Sequence, residues 1–337
     1  MGIKLKRLEE QVMVITGGTS GIGLATAKRA AMRGARVVLC ARNEPELRET
    51  VAGIEAAGGT ARSVVADVAN QEDVERLAVT AIEAFGAIDT WVNNAGVSFY
   101  GNLTEVAIED MRRLFEVNFW GTVYGARAAV ARLRGSGGAL INIGSVVSDR
   151  AIPLQGAYSA SKHAVKGFTD ALRMELEEEG APISVTLIKP SAIDTPYFQH
   201  AKNYMEVEPK PPAPVYAPEV VANAVLRAAE HPVRDVTIGG GGRLISALGS
   251  ALPRLTDRYM ERSMFDSQRS DTPAAERAGN LYVHAADEGK ERGEYSGHVM
   301  RSSAYTRAAF SPGKALLAAG LGLAVFAGLR SLTGSDD

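Results

Sequence analysis

Tyr158 and Lys162, four residues apart in the run YSASK, have the types and spacing of a proton-transfer pair. On a helix, positions i and i+4 share a face with Cβ atoms roughly 5 to 6 Å apart, so the lysine ammonium can lie beside the phenol. An unperturbed tyrosine has a pKa of about 10 and exchanges protons poorly at neutral pH. A cation ~4 to 5 Å away, at an effective dielectric of ~20, favours the phenolate by roughly 3 to 4 kcal/mol, about two to three pKa units. The spacing therefore predicts a Tyr158 poised toward neutrality by Lys162. Just upstream, Ser145 follows the apolar run from Ala139 to Ile143. An isolated YxxxK is an ordinary helix-surface pattern, so its weight depends on what surrounds it.

The surrounding elements alternate between strand and helix. Val12 to Thr16 is a short apolar strand that runs into TGGTSGIG (Thr16 to Gly23), after which an Ala-rich helix continues to Met32. Glycines let a backbone approach a pyrophosphate, and a helix N-terminus offers free N–H groups and a favourable dipole. Strands follow at Arg36 to Ala41, Ala61 to Ala66, Ile88 to Asn93, Ile183 to Lys189 and Asp235 to Ile238. Helices run through Ala56 and from Gln71 to Phe85. Apolar strands alternating with helices predict an α/β fold, a doubly wound parallel sheet covered on both faces. Ligands bind at the carboxyl ends of such strands, and three ends carry suitable residues: Ala41-Arg42, Asp67-Val68 and NNAG from Asn93 to Gly96.

With these motifs in one order, the stretch from Gln11 to Gly242 resembles the short-chain dehydrogenase/reductase (SDR) family. The resemblance implies a Rossmann-like fold and a hydride transfer between a nicotinamide cofactor and a ketone, aldehyde or alcohol. It makes Ser145 the hydrogen-bond donor to the substrate oxygen and Tyr158 its proton partner. Lys162 would hold the nicotinamide ribose while lowering the Tyr158 pKa, and Asn118 would hold a relay water. It places the cofactor on Gly17, Thr19, Ser20, Gly21, Ile22 and Gly23, on Asp67 and Val68, on Asn94, Ala95 and Gly96, on Tyr158 and Lys162, and on Thr195. Pro190-Ser191 departs from the family's usual Pro-Gly. At the second strand's end Ala41 stands where an acid would bind the ribose of NAD, and Arg42 can fork onto a 2′-phosphate, so NADP is expected over NAD. A non-catalytic nucleotide-binding regulator on the same fold is the alternative, and the complete set of Asn118, Ser145, Tyr158 and Lys162 counts against it.

Composition narrows the remaining classes. The chain has 337 residues, 46% of them hydrophobic, enough for one large domain with an extension or for two small ones. A formal charge of -2 and a pI near 6.3 give no electrostatic reason to expect nucleic acid. Cys40 is the sole cysteine and sits in an apolar run, so neither a disulfide within the chain nor a cysteine metal cluster is expected. The five histidines lack ligand spacing, and no metal is expected. The start, MGIKLKRLEEQ, has no apolar signal run, and Lys6 stands where a myristoylation signal needs Ser or Thr. A cytoplasmic catalytic domain and a homo-oligomer are the expectations.

Four segments follow from this reading. Residues 1–242 form the catalytic and dinucleotide-binding domain. Within it, the Pro-rich stretch from Gln199 to Pro218 reads as a substrate lid, and Tyr197, Phe198, Phe99, Tyr100, Pro153 and Leu154 as pocket walls or core. Residues 243–265 carry Leu244, Leu248, Leu252, Leu255 and Tyr259 at helical spacing, a stripe that must cover the catalytic domain, a second subunit or a membrane surface, with Pro253 kinking it. Residues 266–312 are polar and read as a linker with little fixed structure. Residues 313–332 hold the uncharged run from Ala315 to Leu329 between Lys314 and Arg330, with Gly320, Ala324 and Gly328 on one face. As a helix this run spans roughly 22 Å, short of a bilayer core of about 30 Å. It admits two placements, a membrane tether aided by snorkelling or a helix docked on protein.

Overall fold

The computed structural model describes residues 2–284 and 289–310. Its apolar runs pair as β1 (Val12–Thr16), β2 (Arg36–Ala41), β3 (Thr60–Val65), β4 (Thr90–Asn93), β5 (Gly138–Ile143), β6 (Ile183–Pro190) and β7 (Asp235–Ile238). They form one seven-stranded sheet in the order β7-β6-β5-β4-β1-β2-β3, every neighbour parallel. Successive side chains alternate between faces. Met13 and Ile15 of β1 enter one apolar layer and Val12 and Val14 the other.

Helices α1 (Gly21–Met32), α2 (Glu44–Ala56), α3 (Gln71–Phe85), α4 (Ile108–Phe115), α5 (Gly121–Ser136), α6 (Gly156–Glu178) and α7 (Pro218–Glu230) cover those faces. One layer is filled by Ala27, Leu47, Ile54, Val221 and Val225 from α1, α2 and α7, the other by Leu77, Leu114, Ala129 and Leu176 from α3 to α6. Local chemistry sets the helix ends. Asn43 and Asn70 accept from the backbone N–H of Glu46 and Glu72, and α3 stops at Gly86 with φ +78°. After β3 the chain crosses to β4 on the far side of β1, so the carboxyl ends of β1 and β4 diverge and leave a crevice.

Beyond β7 the structure departs from the expected helix and linker. The stripe is carried by two helices, α8 (Gly240–Ala251) and α9 (Pro253–Gln268), because Pro253 lacks the N–H to continue α8 and starts a new helix instead. Leu244, Leu248, Leu252, Leu255 and Tyr259 stay exposed on the described chain, and the packed side is the other one, with Ser246, Gly249, Thr256 and Met260 buried. A Cβ at Gly249 would lie 2.9 Å from Cδ of Arg150, so the glycine lets α8 approach the loop after β5. Arg150 pairs with Asp257 of α9, and the buried Gln268 donates to the Pro153 carbonyl at 3.1 Å and accepts from Gln155 at 2.7 Å.

The expected linker, residues 266–312, is instead joined to the preceding domain at several points of its described part. Arg269–Pro273 pairs antiparallel with Val207–Pro209, and Val299–Met300 pairs with Val215–Tyr216, itself beside Ala192–Ile193. The composition misleads because this order rests on strand edges and ion pairs rather than aliphatic burial. Arg277 pairs with Glu208, Arg292 with Glu219, and Leu281 is the fully buried anchor of the strap. Among the described residues no helix is long and apolar enough to cross a membrane. The run from Ala315 to Leu329, with the tether expected of it, lies outside the described residues.

Replacing the apolar anchor by a charge, Leu281→Asp, should therefore release the strap while the sheet stays folded, because local opening costs less than global unfolding. Limited trypsin digestion reads this at Arg277, Lys290 and Arg292: slow cleavage in the wild type and at least tenfold faster cleavage in the variant are expected, with an unchanged core fragment. Equal rates would mean that Leu281 does not hold the strap.

Candidate active site

The crevice is floored by a clamp between the first and fourth strands. Thr16 Oγ1 accepts the backbone N–H groups of Asn94 and Ala95, both at 3.0 Å. The Asn94 side chain donates back to the carbonyls of Thr16 and Gly17 at 2.9 and 3.1 Å. Gly17 holds φ +66°, and a Cβ there would sit 2.9 Å from the Ala95 backbone. Glycine is thus required where the two loops touch. Gly23 serves the same closeness from behind, since its Cβ would lie 1.9 Å from the Gly17 carbonyl oxygen.

Above this floor lies a cavity of about 280 Å³. Every residue expected to hold the cofactor lines it except Gly23, which packs the glycine loop against α1. Ser145, Tyr158 and Lys162 line it too, and Asn118 does not. Asn118 is fully buried in a π-helical turn, Glu116–Trp120, between α4 and α5. Its amide accepts from Val97 N at 2.8 Å and donates to Val97 O at 3.0 Å and Ser161 Oγ at 3.2 Å. What it does here is fix the strand of NNAG to the helix of Tyr158.

Of the expected pocket walls, Tyr197 and Phe198 line the cavity, from a one-turn helix, Tyr197–His200. Phe99 and Tyr100 are wholly buried core. Leu154 packs with Tyr100 and Phe198 rather than facing the cavity, in a left-handed backbone conformation with φ +65° that carries its carbonyl to Gly101 N at 3.0 Å. Ile152, Gln155 and Asn280 are among the cavity residues that the sequence reading did not single out. The Gln155 position was foreseeable from its place three before Tyr158; nothing local marks Asn280, which arrives from the far end of the chain.

Electrostatics depart from the expected poise. Burial pushes the Tyr158 hydroxyl above its ordinary value, with the neighbouring Tyr197 and Ser145 hydroxyls holding it down. Lys162 is not among the groups that lower it. Its ammonium lies 5.7 Å from the Tyr158 ring centroid and donates to the Ile143 carbonyl at 2.9 Å. Burial also pushes Lys162 down to about 8. Desolvation disfavours whichever form is charged, so it moves an acid up and a base down, and here it outweighs the Coulombic help expected from spacing alone.

The fold and the motifs are matched by known proteins. The family model for short chain dehydrogenases matches residues 11–205. The protein belongs to that family, and is an oxidoreductase of the SDR type. An uncharacterized oxidoreductase, YxnA, of Bacillus subtilis (strain 168) is 49% identical over 313 residues, 92% of this chain and 88% of that protein. A 3beta-hydroxysteroid dehydrogenase of Mediterraneibacter gnavus is 38% identical over 201 residues, 59% of this chain and 72% of that protein. Two solved structures share the architecture at 26% identity. One is a Burkholderia phymatum SDR in complex with NAD, with a TM-score of 0.64 over 81% of this chain and 100% of that one. The other is an alcohol dehydrogenase of Thermococcus sibiricus complexed with 5-hydroxy-NADP, with a TM-score of 0.60 over 68% of this chain and 95% of that one. Both of those structures hold a nicotinamide dinucleotide or a derivative of one.

The residues present fit such a group. The glycine cradle has no room for side chains, and the Ser191 hydroxyl and Asn280 Oδ1, both on cavity-lining residues, are buried without a hydrogen-bond partner.

The burial of Lys162 sets a pH signature in stability. Its pKa is near 8 in the fold against an ordinary 10.5, so the cost of burying its charge is fully present below pH 8 and is relieved as pH rises toward 10.5. Relative to Lys162→Met, the wild type should gain about 2 kcal/mol between pH 7 and pH 9.5, measured by urea unfolding of both proteins. A difference constant with pH would mean that Lys162 keeps its charge throughout.

Proposed function

We propose that this oxidoreductase interconverts a ketone or aldehyde with the corresponding alcohol, using NADP in preference to NAD. The convergence of Ser145, Tyr158 and Lys162 on one cavity with the glycine loop carries the reading. The chemistry a nicotinamide dinucleotide supplies when bound is a hydride given to, or taken from, the carbonyl carbon. Gly17, Thr19, Ser20, Gly21, Ile22, Asp67-Val68, Asn94 to Gly96 and Thr195 would hold it.

The chain's own groups handle the oxygen. Ser145 Oγ lies in a cap where it accepts from Val147 N at 3.2 Å, and its proton turns toward the Pro190 carbonyl at 3.4 Å, a long bond that a substrate oxygen can replace. Tyr158, whose hydroxyl burial holds in the protonated form, can donate to an oxygen that gains negative charge as a carbonyl is reduced. Lys162, near 8, can pass a proton at physiological pH and so restore Tyr158. Tyr197 and Phe198 give the substrate end of the cavity an aromatic wall suited to an apolar substrate, in keeping with the 3beta-hydroxysteroid dehydrogenase among the relatives.

The NADP preference rests on Ala41 in place of an acid and on Arg42 in the cavity wall. Assays of carbonyl compounds with NADPH and NADH, and of alcohols with the oxidised forms, test the whole reading; no turnover with any pair would overturn it.

Two substitutions test the roles. Tyr158→Phe should lower kcat by at least a thousandfold while the cofactor dissociation constant stays within threefold, since only the direct proton donor is removed. Near-normal kcat would sink the mechanism. Arg42→Ala should cost NADPH about 1.5 to 3 kcal/mol more than it costs NADH, the range of a charged hydrogen bond, read by fluorescence titration of each. Equal losses would assign Arg42 to holding the strap alone.

A further inference from the structure

The strap formed by residues 277–284 and 289–295 lies outside the matched family region, and it crosses the dinucleotide crevice. At one end the Arg42 guanidinium donates to three of its carbonyls: Asn280 at 2.7 Å, Val283 at 3.2 Å and Leu281 at 3.3 Å. Beside it, Arg113 pairs with Asp67 and donates through Nε to the same Leu281 carbonyl at 3.0 Å. Further along, Gly289 N donates to the Thr19 carbonyl at 3.0 Å, and Gly21 N to the Lys290 carbonyl at 2.9 Å. The strap thus meets the glycine loop and Arg42 through its backbone groups, beside the side-chain anchors at Leu281, Arg277 and Arg292.

Asn280 is the strap residue that lines the cavity. Its backbone is held from both sides, the N–H donating to the His200 carbonyl at 2.8 Å and the C=O accepting from Arg42. Its Oδ1 is shielded from solvent with no donor. A buried acceptor left unmade costs the desolvation of that atom, and such atoms are scarce in folded proteins. The Asn280 carbonyl meets Arg42, and the next one, of Leu281, meets the Arg113 that pairs with Asp67. Asn280 thus lies at the end of the crevice where the adenosine moiety is proposed to sit, and the donors on offer there are ribose hydroxyls and the adenine amino group.

We infer that Asn280 is a nucleotide ligand supplied by the C-terminal extension, its Oδ1 accepting a hydrogen bond from the adenosine moiety of the cofactor. This rests on the nicotinamide reading above and extends it beyond the family's own residues. The nicotinamide end takes no part, so adenosine fragments alone suffice as probes.

Isothermal titration of the full chain with 5′-AMP, 2′,5′-ADP, NADH and NADPH tests it. Asn280→Ala should weaken all four by about three- to tenfold, the span of one neutral hydrogen bond. Asn280→Asp, which keeps an acceptor at the same place, should retain 5′-AMP within about threefold of wild type. The nucleotide-free unfolding midpoint should be the same in all three proteins, since Asn280 is itself held through its backbone. If Asn280→Ala lowers that midpoint, the comparison of Asn280→Asp with wild type decides. Wild-type binding with unchanged affinities in Asn280→Ala would overturn the inference and leave the cofactor reading standing. A wild type that binds none of the four would overturn both.

Discussion

The reversal of strand order between β1 and β4 is the constraint on which the site depends. Two neighbouring parallel strands whose connections leave in opposite directions cannot close their carboxyl ends over one another, so a crevice there is a property of the winding itself. What the side chains add is its width. Thr16 and Asn94 exchange hydrogen bonds across the gap, and Gly17 meets the Ala95 backbone so closely that no Cβ fits. The floor is rigid because both loops are tied to each other rather than each to solvent. The third tie is Asn118, whose amide binds both backbone groups of Val97 and reaches Ser161 on α6. One buried asparagine thereby sets the helix of Tyr158 against the crevice, and the π-helical turn around it is the local distortion that turns its amide toward Val97.

Burial then decides how Tyr158 and Lys162 behave. Spacing on a helix says that Tyr158 and Lys162 are close, and Coulomb's law alone would hold the phenol down. The same closeness places both groups in a water-poor cavity wall, where each charged form is penalised. For the tyrosine burial outweighs the neighbouring Tyr197 and Ser145 hydroxyls, and for the lysine, whose ammonium donates to the Ile143 carbonyl, burial alone moves the group down. The outcome is a phenol raised by burial beside an amine lowered to about 8, in place of one strongly acidified phenol.

Legibility in the sequence followed the kind of physics each part uses. Strands such as Val12–Thr16 and Arg36–Ala41 were readable to the residue because they are buried on both faces, and an apolar run bounded by turn residues has few other uses. The edges of Thr60–Val65 and Thr90–Asn93 shifted from the expected Ala61 to Ala66 and Ile88 to Asn93, since strand ends follow the partner's register and not their own side chains. The glycine loop, Ser145, Tyr158 and Lys162 were readable from type and spacing. The sign of the Tyr158 shift was not, because desolvation depends on everything packed around the group.

The extension was misread for a related reason. Its stretch from Arg269 to Tyr295 joins the domain through backbone bonds such as Gly21 to Lys290 and through arginine ion pairs, and neither leaves a hydrophobic period in the sequence. Polar composition usually signals too little apolar area to offset chain entropy, but that argument assumes the segment must supply its own core. Here the core already exists, and the segment needs only edges and carbonyls to lie on. Among its described residues Leu281 is the fully buried apolar side chain, and glycines at 279, 289 and 293 let the chain run close to Lys202, Glu46 and Thr195. A polar segment that follows a complete catalytic domain is therefore not a linker by default: where the domain presents unfilled hydrogen-bonding groups around an open crevice, such a segment has a surface to order against, and this one orders across the mouth of the site.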